Sequence, residues 1–133
     1  MKKKIVPCFV AGKQKPYANC VVVGKTIYIS GTNGRSSETE EVVSDTIEGQ
    51  TWRALEQINS AMREAGSSLK NLVKMTTFLE DLKDYQGYRE TERKYFLKYA
   101  AELVKEPVAS TVVQVASLPK PEFLIEIEAI GIF

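Results

Sequence analysis

The 133-residue chain contains no histidine. That removes Ser-His and Cys-His nucleophile pairs and most zinc sites, so any catalysis must rest on carboxylates, tyrosines, arginines, backbone donors and water. Net charge is also lacking, since Lys+Arg 18 against Asp+Glu 17 leaves +1. Such a balance exerts no pull toward nucleic acid or a membrane surface, and nucleic acid is not expected as a partner. There are only two cysteines, Cys8 and Cys20. They could form one bridge but no disulfide scaffold, and reduced thiols in a cytoplasmic protein are the expectation. No apolar run approaches the roughly 18 residues that a membrane span needs. The opening MKKKIVPCFVAGKQK has the basic start of a signal peptide, yet its apolar run is short, broken by Pro7 and followed by another basic cluster. It reads as a cytosolic start. No CxxC pair occurs, and GTNG (Gly31–Gly34) lacks the pattern and the lysine of a phosphate loop.

What is present fits one globular domain over residues 1–133, with an apolar fraction of 44% and a charged fraction of 26%. NCVVVGKTIYISG is two β-rich runs around Gly24-Lys25, a hairpin pattern. The polar stretch Thr32–Glu41 follows as a loop. From Glu48 to Ala65, the residues Thr51, Leu55, Ile58, Met62 and Ala65 recur at three- and four-residue spacing, predicting an amphipathic helix closed by Gly66. NLVKMTTFLE reads as a strand. Asp84 is placed to cap a second helix bearing Tyr85, Tyr88, Tyr95, Phe96 and Tyr99. EPVASTVVQVASL and EFLIEIEAIGIF are the last two strands, separated by Pro119 and Pro121. The predicted order is β-β-α-β-α-β-β, an α+β fold with two helices on one face of a sheet. Val21-Val22-Val23, Ile27-Tyr28-Ile29 and Val112-Val113 are apolar on both faces, as in a sheet covered twice. Two helices cover one face only, so the other calls for a partner, and the simplest partner is another copy of the chain.

Alternation in the last strand puts Phe123, Ile125, Ile127 and Ala129 on one face and Leu124, Glu126, Glu128 and Ile130 on the other. If the first set meets the helices, two carboxylates point toward the partner. A carboxylate buried there needs a cation or carries a raised pKa suited to proton transfer, unless both lie near a wet edge as solubility residues. Arg89, at the border of the second helix's aromatic face, and Arg35, in the loop after the hairpin, are the candidate cations. Each could instead be a solvated surface residue.

The ordered motifs KPYANCVVVGKTIYISG (Lys15–Gly31), AGSSLKNLVKMTTFLEDLKDY (Ala65–Tyr85) and PVASTVVQVASLPKPEFLIEIEAI (Pro107–Ile130) resemble the Rid/YjgF family of reactive-intermediate deaminases. The resemblance implies a chorismate-mutase-like fold and a homotrimer whose sheets form an inner barrel. A small-molecule metabolite would bind in the clefts between subunits, with no metal or organic cofactor. It also implies hydrolysis of 2-imino or 2-enamino acids, with an arginine gripping the substrate carboxylate. Residue by residue, Tyr17 matches the family's cleft tyrosine, and Ser30 and Gly31 match its SG. Thr32 stands where many members have glutamine, and Glu126 matches the first glutamate of IEIEAI. The family's P-A-R-(S/T)-(T/C) reads here Pro107-Val108-Ala109-Ser110-Thr111, so Ala109 takes the arginine position. Losing that grip weakens carboxylate binding by roughly 2–5 kcal/mol unless another cation replaces it. Arg89, where many members have asparagine, and Arg35 are the replacements on offer. Glu126 is then the expected water-positioning carboxylate and Tyr17 a hydrogen-bonding lid, with Thr111 and Gly31–Thr32 lining the pocket. A binding protein without turnover is the competing reading. An endoribonuclease or translation inhibitor is a further one, disfavoured because no histidine can serve as acid or base.

Overall fold

Alternation starts earlier than the hairpin pattern suggests. Val6, Cys8 and Val10 are buried while their neighbours are exposed, and Lys3–Val10 forms β1. The computed structural model describes residues 2–133. A two-residue turn at Ala11-Gly12, both with positive φ, folds β1 back on β2 (Lys13–Val23). Pro7 sits at a register shift of this pair, where a missing N–H does least damage to the ladder. This strand is an addition to the expected order. Pro7 and the exposed apolar Ile5 and Phe9 hide its alternation in the sequence.

The second turn at Gly24, again at positive φ, leads into β3 (Thr26–Asn33). β3 therefore includes Thr32 and Asn33, and the polar loop begins at Gly34 rather than at Thr32. Helix α1 (Ile47–Glu64) starts at Thr46, whose side chain accepts the N–H of Gly49. Thr51, Leu55, Ile58, Met62 and Ala65 are all buried, as their spacing requires. β4 (Leu72–Leu79) follows, then α2 (Tyr85–Tyr99). The Asp84 side chain makes no capping bond. Asp81 does the local work, accepting the Lys83 N–H to start a single 3-10 turn before the helix. Tyr88, Tyr95 and Phe96 of α2 are buried, whereas Tyr85 and Tyr99 are exposed. A short α3 (Glu102–Lys105) precedes β5 (Ala109–Gln114), and β6 (Ile125–Ile132) closes the chain.

Among the described residues, six strands form one mixed sheet in the order β1-β2-β3-β6-β4-β5. Only the β4–β5 pair is parallel, which is why the α2 crossover lies between those strands. The long helices cover one face. Ile27, Ile29, Met75, Leu79, Ile125, Ile127 and Ala129 meet them there in the core. The other face carries Ile5, Val21, Tyr28, Ile130, Ile132 and Val113 beside Glu126 and Glu128. Tyr28 is 50% exposed and Val113 40% exposed.

A fully buried amide ties the helix layer to two loops. Gln50 Nε2 donates to the carbonyls of Ser44 (3.0 Å) and Glu122 (2.9 Å), and Gln50 Oε1 accepts from the Leu124 N–H at 2.9 Å. This fixes where the chain enters β6. Gln50→Leu keeps the volume but abandons these backbone groups, at a cost of about 1–3 kcal/mol for each group that water cannot reach. Urea denaturation should show the loss; a variant within about 0.5 kcal/mol of the parent would refute the assignment.

Candidate active site

Strand β3 ends in an irregularity. The β3–β6 register shifts between Ile29 and Thr32, so Ser30 and Gly31 bulge out of the ladder. The two hydroxyls of this region are already spent on backbone. Ser30 Oγ donates to Ala18 O at 2.6 Å, and Thr32 Oγ1 donates to Ile127 O at 3.1 Å. Both side chains hold the bulge in shape. Gly31 is present for lack of room, because a Cβ there would stand 2.8 Å from Glu126 Cδ.

Around the bulge lies a cavity of about 410 Å³, whose wall includes Tyr17, Ser30, Gly31, Thr32 and Arg35, with Cys8 and α1 residues opposite. Arg35 Nη2 donates to Tyr17 Oη at 3.2 Å. Arg35 has no carboxylate within salt-bridge distance among the described residues. Its backbone is pinned by α1: Arg53 Nε (2.9 Å) and Gln57 Nε2 (3.2 Å) both donate to Arg35 O.

Glu126 packs on Gly31 from the bare face of the sheet, half-buried, in register with Asn33. Burial pushes its carboxyl above the usual carboxylate range. A hydrogen bond from Asn33 pulls it back, Glu128 pushes it up again, and Arg35 lowers it through space. The fold thus brings Tyr17, Gly31, Arg35 and Glu126 to one end of the sheet.

Ala109, Thr111 and Arg89 lie elsewhere. β5 is three strands from β3, roughly 14 Å at ordinary strand spacing. There Arg89 Nη2 donates to Ser110 Oγ at 3.0 Å, one residue from Ala109. Its Nε donates to Tyr85 Oη (3.0 Å) and its Nη1 to Glu92 Oε1 (3.1 Å). The guanidinium lies over the Tyr85 and Tyr88 rings, 5.3 and 5.2 Å from their centroids. Tyr88, fully buried, accepts from Thr77 Oγ1 and donates to Glu92 Oε2 at 2.6 Å. Burial raises the pKa of the Tyr88 phenol, so it stays protonated. Arg89 is therefore a neutralised cation fixed to the edge strand, and Arg35 an uncompensated one at the cavity. Ala109 and Thr111 are exposed on the unpaired side of the sheet. Asn33, Arg53 and Gln57 were not singled out by pattern. The only sequence trace of the helix pair is that Gln50, Arg53 and Gln57 fall on one side of α1 at three- and four-residue spacing.

A mixed six-stranded sheet with two long helices on one face places the chain in the chorismate-mutase-like class. The chain belongs to the endoribonuclease L-PSP family, the Rid/YjgF proteins, whose model matches residues 11–133. It is 37% identical over 116 residues to a RutC family protein of Pyrococcus abyssi, covering 87% of this chain and 85% of that protein. It is 34% identical over 117 residues to the human 2-iminobutanoate/2-iminopropanoate deaminase, covering 88% and 80%. Among solved structures, E. coli TdcF with bound serine superposes with a TM-score of 0.85 at 30% identity, covering 99% of each chain.

The raised pKa of Glu126 makes a stability prediction with a definite sign. Below the ordinary carboxylate range the group is protonated in both folded and unfolded chains and costs nothing. As pH rises through the folded pKa, ionisation of the half-buried group destabilises the fold. Glu126→Gln should therefore be more stable than the parent at neutral pH, and the gap should close on acidification. Thermal melts across pH check this, and a constant gap would exclude it.

Proposed function

We propose that this protein hydrolyses a small 2-imino or 2-enamino acid to a 2-oxo acid and ammonia, in a cleft completed by a neighbouring copy of the chain. One observation carries the reading. The uncompensated Arg35 guanidinium, bonded to Tyr17, stands in electrostatic reach of Glu126 across Gly31. Arg35 and Tyr17 line the cavity beside α1, and Glu126 meets Gly31 from the bare face, outside the cavity wall, so the arrangement supplies an anion holder and a proton acceptor on either side of the bulge. Arg35 holds the substrate carboxylate and Tyr17 orients it. Glu126 positions water and takes its proton as the C–O bond forms at the protonated imine carbon. The same proton returns to nitrogen, the C–N bond breaks and ammonia leaves, and Glu126 takes the remaining hydroxyl proton as the carbonyl forms, passing it to ammonia or water. The names of related deaminases favour this chemistry. The reading requires no cofactor.

The neighbouring copy is inferred from the bare apolar face and the unpaired edge of β5. A homotrimer with the sheets turned inward covers that face. Its β5 edge would bring Ala109, Thr111 and Arg89 to the next copy's cavity. The Arg89–Ser110 contact favours a second reading of the anchor. In that reading α2 carries the charge that Ala109 lacks, and Arg89 grips the carboxylate. Both thiols are free, in keeping with a cytoplasmic protein.

Stopped-flow hydrolysis of imines freshly generated from alanine, leucine and an aminomuconate tests these readings. The parent should exceed the rate in water. Arg35→Ala should lose about 2–5 kcal/mol of transition-state binding, mainly through KM. Arg89→Ala should fall less than about tenfold, which is under 1.4 kcal/mol. The reverse order would make Arg89 the anchor, and parent rates equal to water would leave a binding protein. Light scattering should give three times the mass of one chain.

A further inference from the structure

We propose that the cavity takes a substrate with two carboxylates, a 2-imino dicarboxylic acid, and that Arg53 is the specificity residue that holds the distal one. The inference rests on the reading of Arg35 as holder of the carboxylate beside the imine, and goes beyond it by naming the substrate class. Arg53, from α1, lines the same cavity as Arg35. Its side chain is 22% exposed, and its Nε donates to Arg35 O at 2.9 Å. The Arg35 side chain runs to a different anchor, Tyr17 on β2, where Nη2 bonds the phenol at 3.2 Å. Arg53 thus meets the main-chain end of Arg35, and the two positive centres are not stacked on one point.

Neither charge is spent within the wall. Arg53 Nη1 stands 4.0 Å from Glu56 Oε1, at the outer limit of an ion pair and beyond hydrogen-bond reach, and Glu56 is exposed and outside the wall. Lys15 is already paired with Glu40 at 2.8 Å. Among the described residues the carboxylate in the wall is Glu64, which accepts from Ser60 Oγ at 3.1 Å. It lies about three helical turns beyond Arg53 on α1, roughly 16 Å at the ordinary rise. Two partly buried guanidinium groups without an anion between them repel each other. A dianion relieves that repulsion, and each planar fork can take one carboxylate at two points. The holders are set before a ligand arrives. Gln57 Nε2 also donates to Arg35 O at 3.2 Å, and the Arg35 N–H donates to Asn33 Oδ1 at 3.0 Å. Between them Gly34 packs so closely on α1 that a Cβ would lie 2.5 Å from Gln50 Cγ. Groups fixed in this way lose little freedom on binding. A cavity of about 410 Å³ has room for a five-carbon diacid.

The test is calorimetry of the full-length chain with 2-oxoglutarate and 2-oxopentanoate, acids of equal carbon number that differ by the distal carboxylate. 2-Oxoglutarate should bind about 10-fold tighter or better, the worth of one charge-assisted contact. Arg53→Gln should weaken 2-oxoglutarate alone and bring the two affinities within about twofold. Arg53→Lys keeps the charge but loses the fork, and should restore part of the preference. A merely structural Arg53 would weaken both acids alike, and that result overturns the proposal. So does a parent that binds neither acid or both equally, or displacement of 2-oxoglutarate by inorganic phosphate at equal concentration. Stopped-flow hydrolysis of imines freshly generated from glutamate and norvaline separates this inference from the hydrolase reading. Hydrolysis of both faster than in water, with no preference in rate or binding, overturns the dicarboxylate class and leaves the hydrolase standing. A 2-oxoglutarate preference lost in Arg53→Gln, in a protein that never outpaces water, overturns the hydrolase and leaves the dicarboxylate site standing.

Discussion

A side-chain amide buried away from water must find all its partners inside the protein, and Gln50 meets that demand by reaching three backbone groups in two separate loops. Much of the site hangs from this constraint. The Glu122 and Leu124 contacts fix the entry to β6, and the β6 register then decides which glutamate faces the bulge. The same side of α1 continues with Arg53 and Gln57, which hold the carbonyls of Asn33 and Arg35. Helix α1 thus closes the core with one stripe and, with the adjoining polar stripe, tethers the loops that carry the candidate chemistry. Neither task could be moved to another helix without losing the other.

The cost of the site is concentrated at Glu126. Half-burial on a sheet face penalises its charge, and the surroundings return only part of that cost through Asn33 and Arg35. The two arginines show the opposite economy. Arg89 is surrounded by Glu92, Tyr85 and Ser110, so its charge is structural in the isolated chain. Among the described residues Arg35 bonds a phenol and forms no ion pair, so its charge is left without a carboxylate partner.

Long-period features were legible in the sequence, and local exceptions were not. The 3.6-residue repeat of α1 and the two-residue alternation of β6 are statements about burial, and both hold from Thr51 to Ala65 and from Phe123 to Ala129. That alternation also put Glu126 on the bare face. β1 escaped because its exposed positions include the apolar Ile5 and Phe9, which blur the alternation, and Pro7 interrupts it, although Val6, Cys8 and Val10 keep the period. Asp84 was the obvious cap by position, but the preceding turn let Asp81 take the role. At the site, Ser30 and Thr32 do line the cavity, but the bulge directs both hydroxyls to backbone carbonyls. Asn33 carries no motif at all. Its importance comes from a register with a residue far along the chain, which no local pattern encodes.

The sheet also has an uneven grip on its own members. β5 is only six residues long, pairs on one side alone, and is joined through the sheet's single parallel ladder. It therefore lies toward the low end of the chain's local stabilities, where amide protons exchange by brief openings rather than by global unfolding. Each opening of β5 separates Ser110 from Arg89. The helix-borne cation keeps Glu92 and Tyr85 through such an event, so the edge strand can breathe without stranding a charge in the interior.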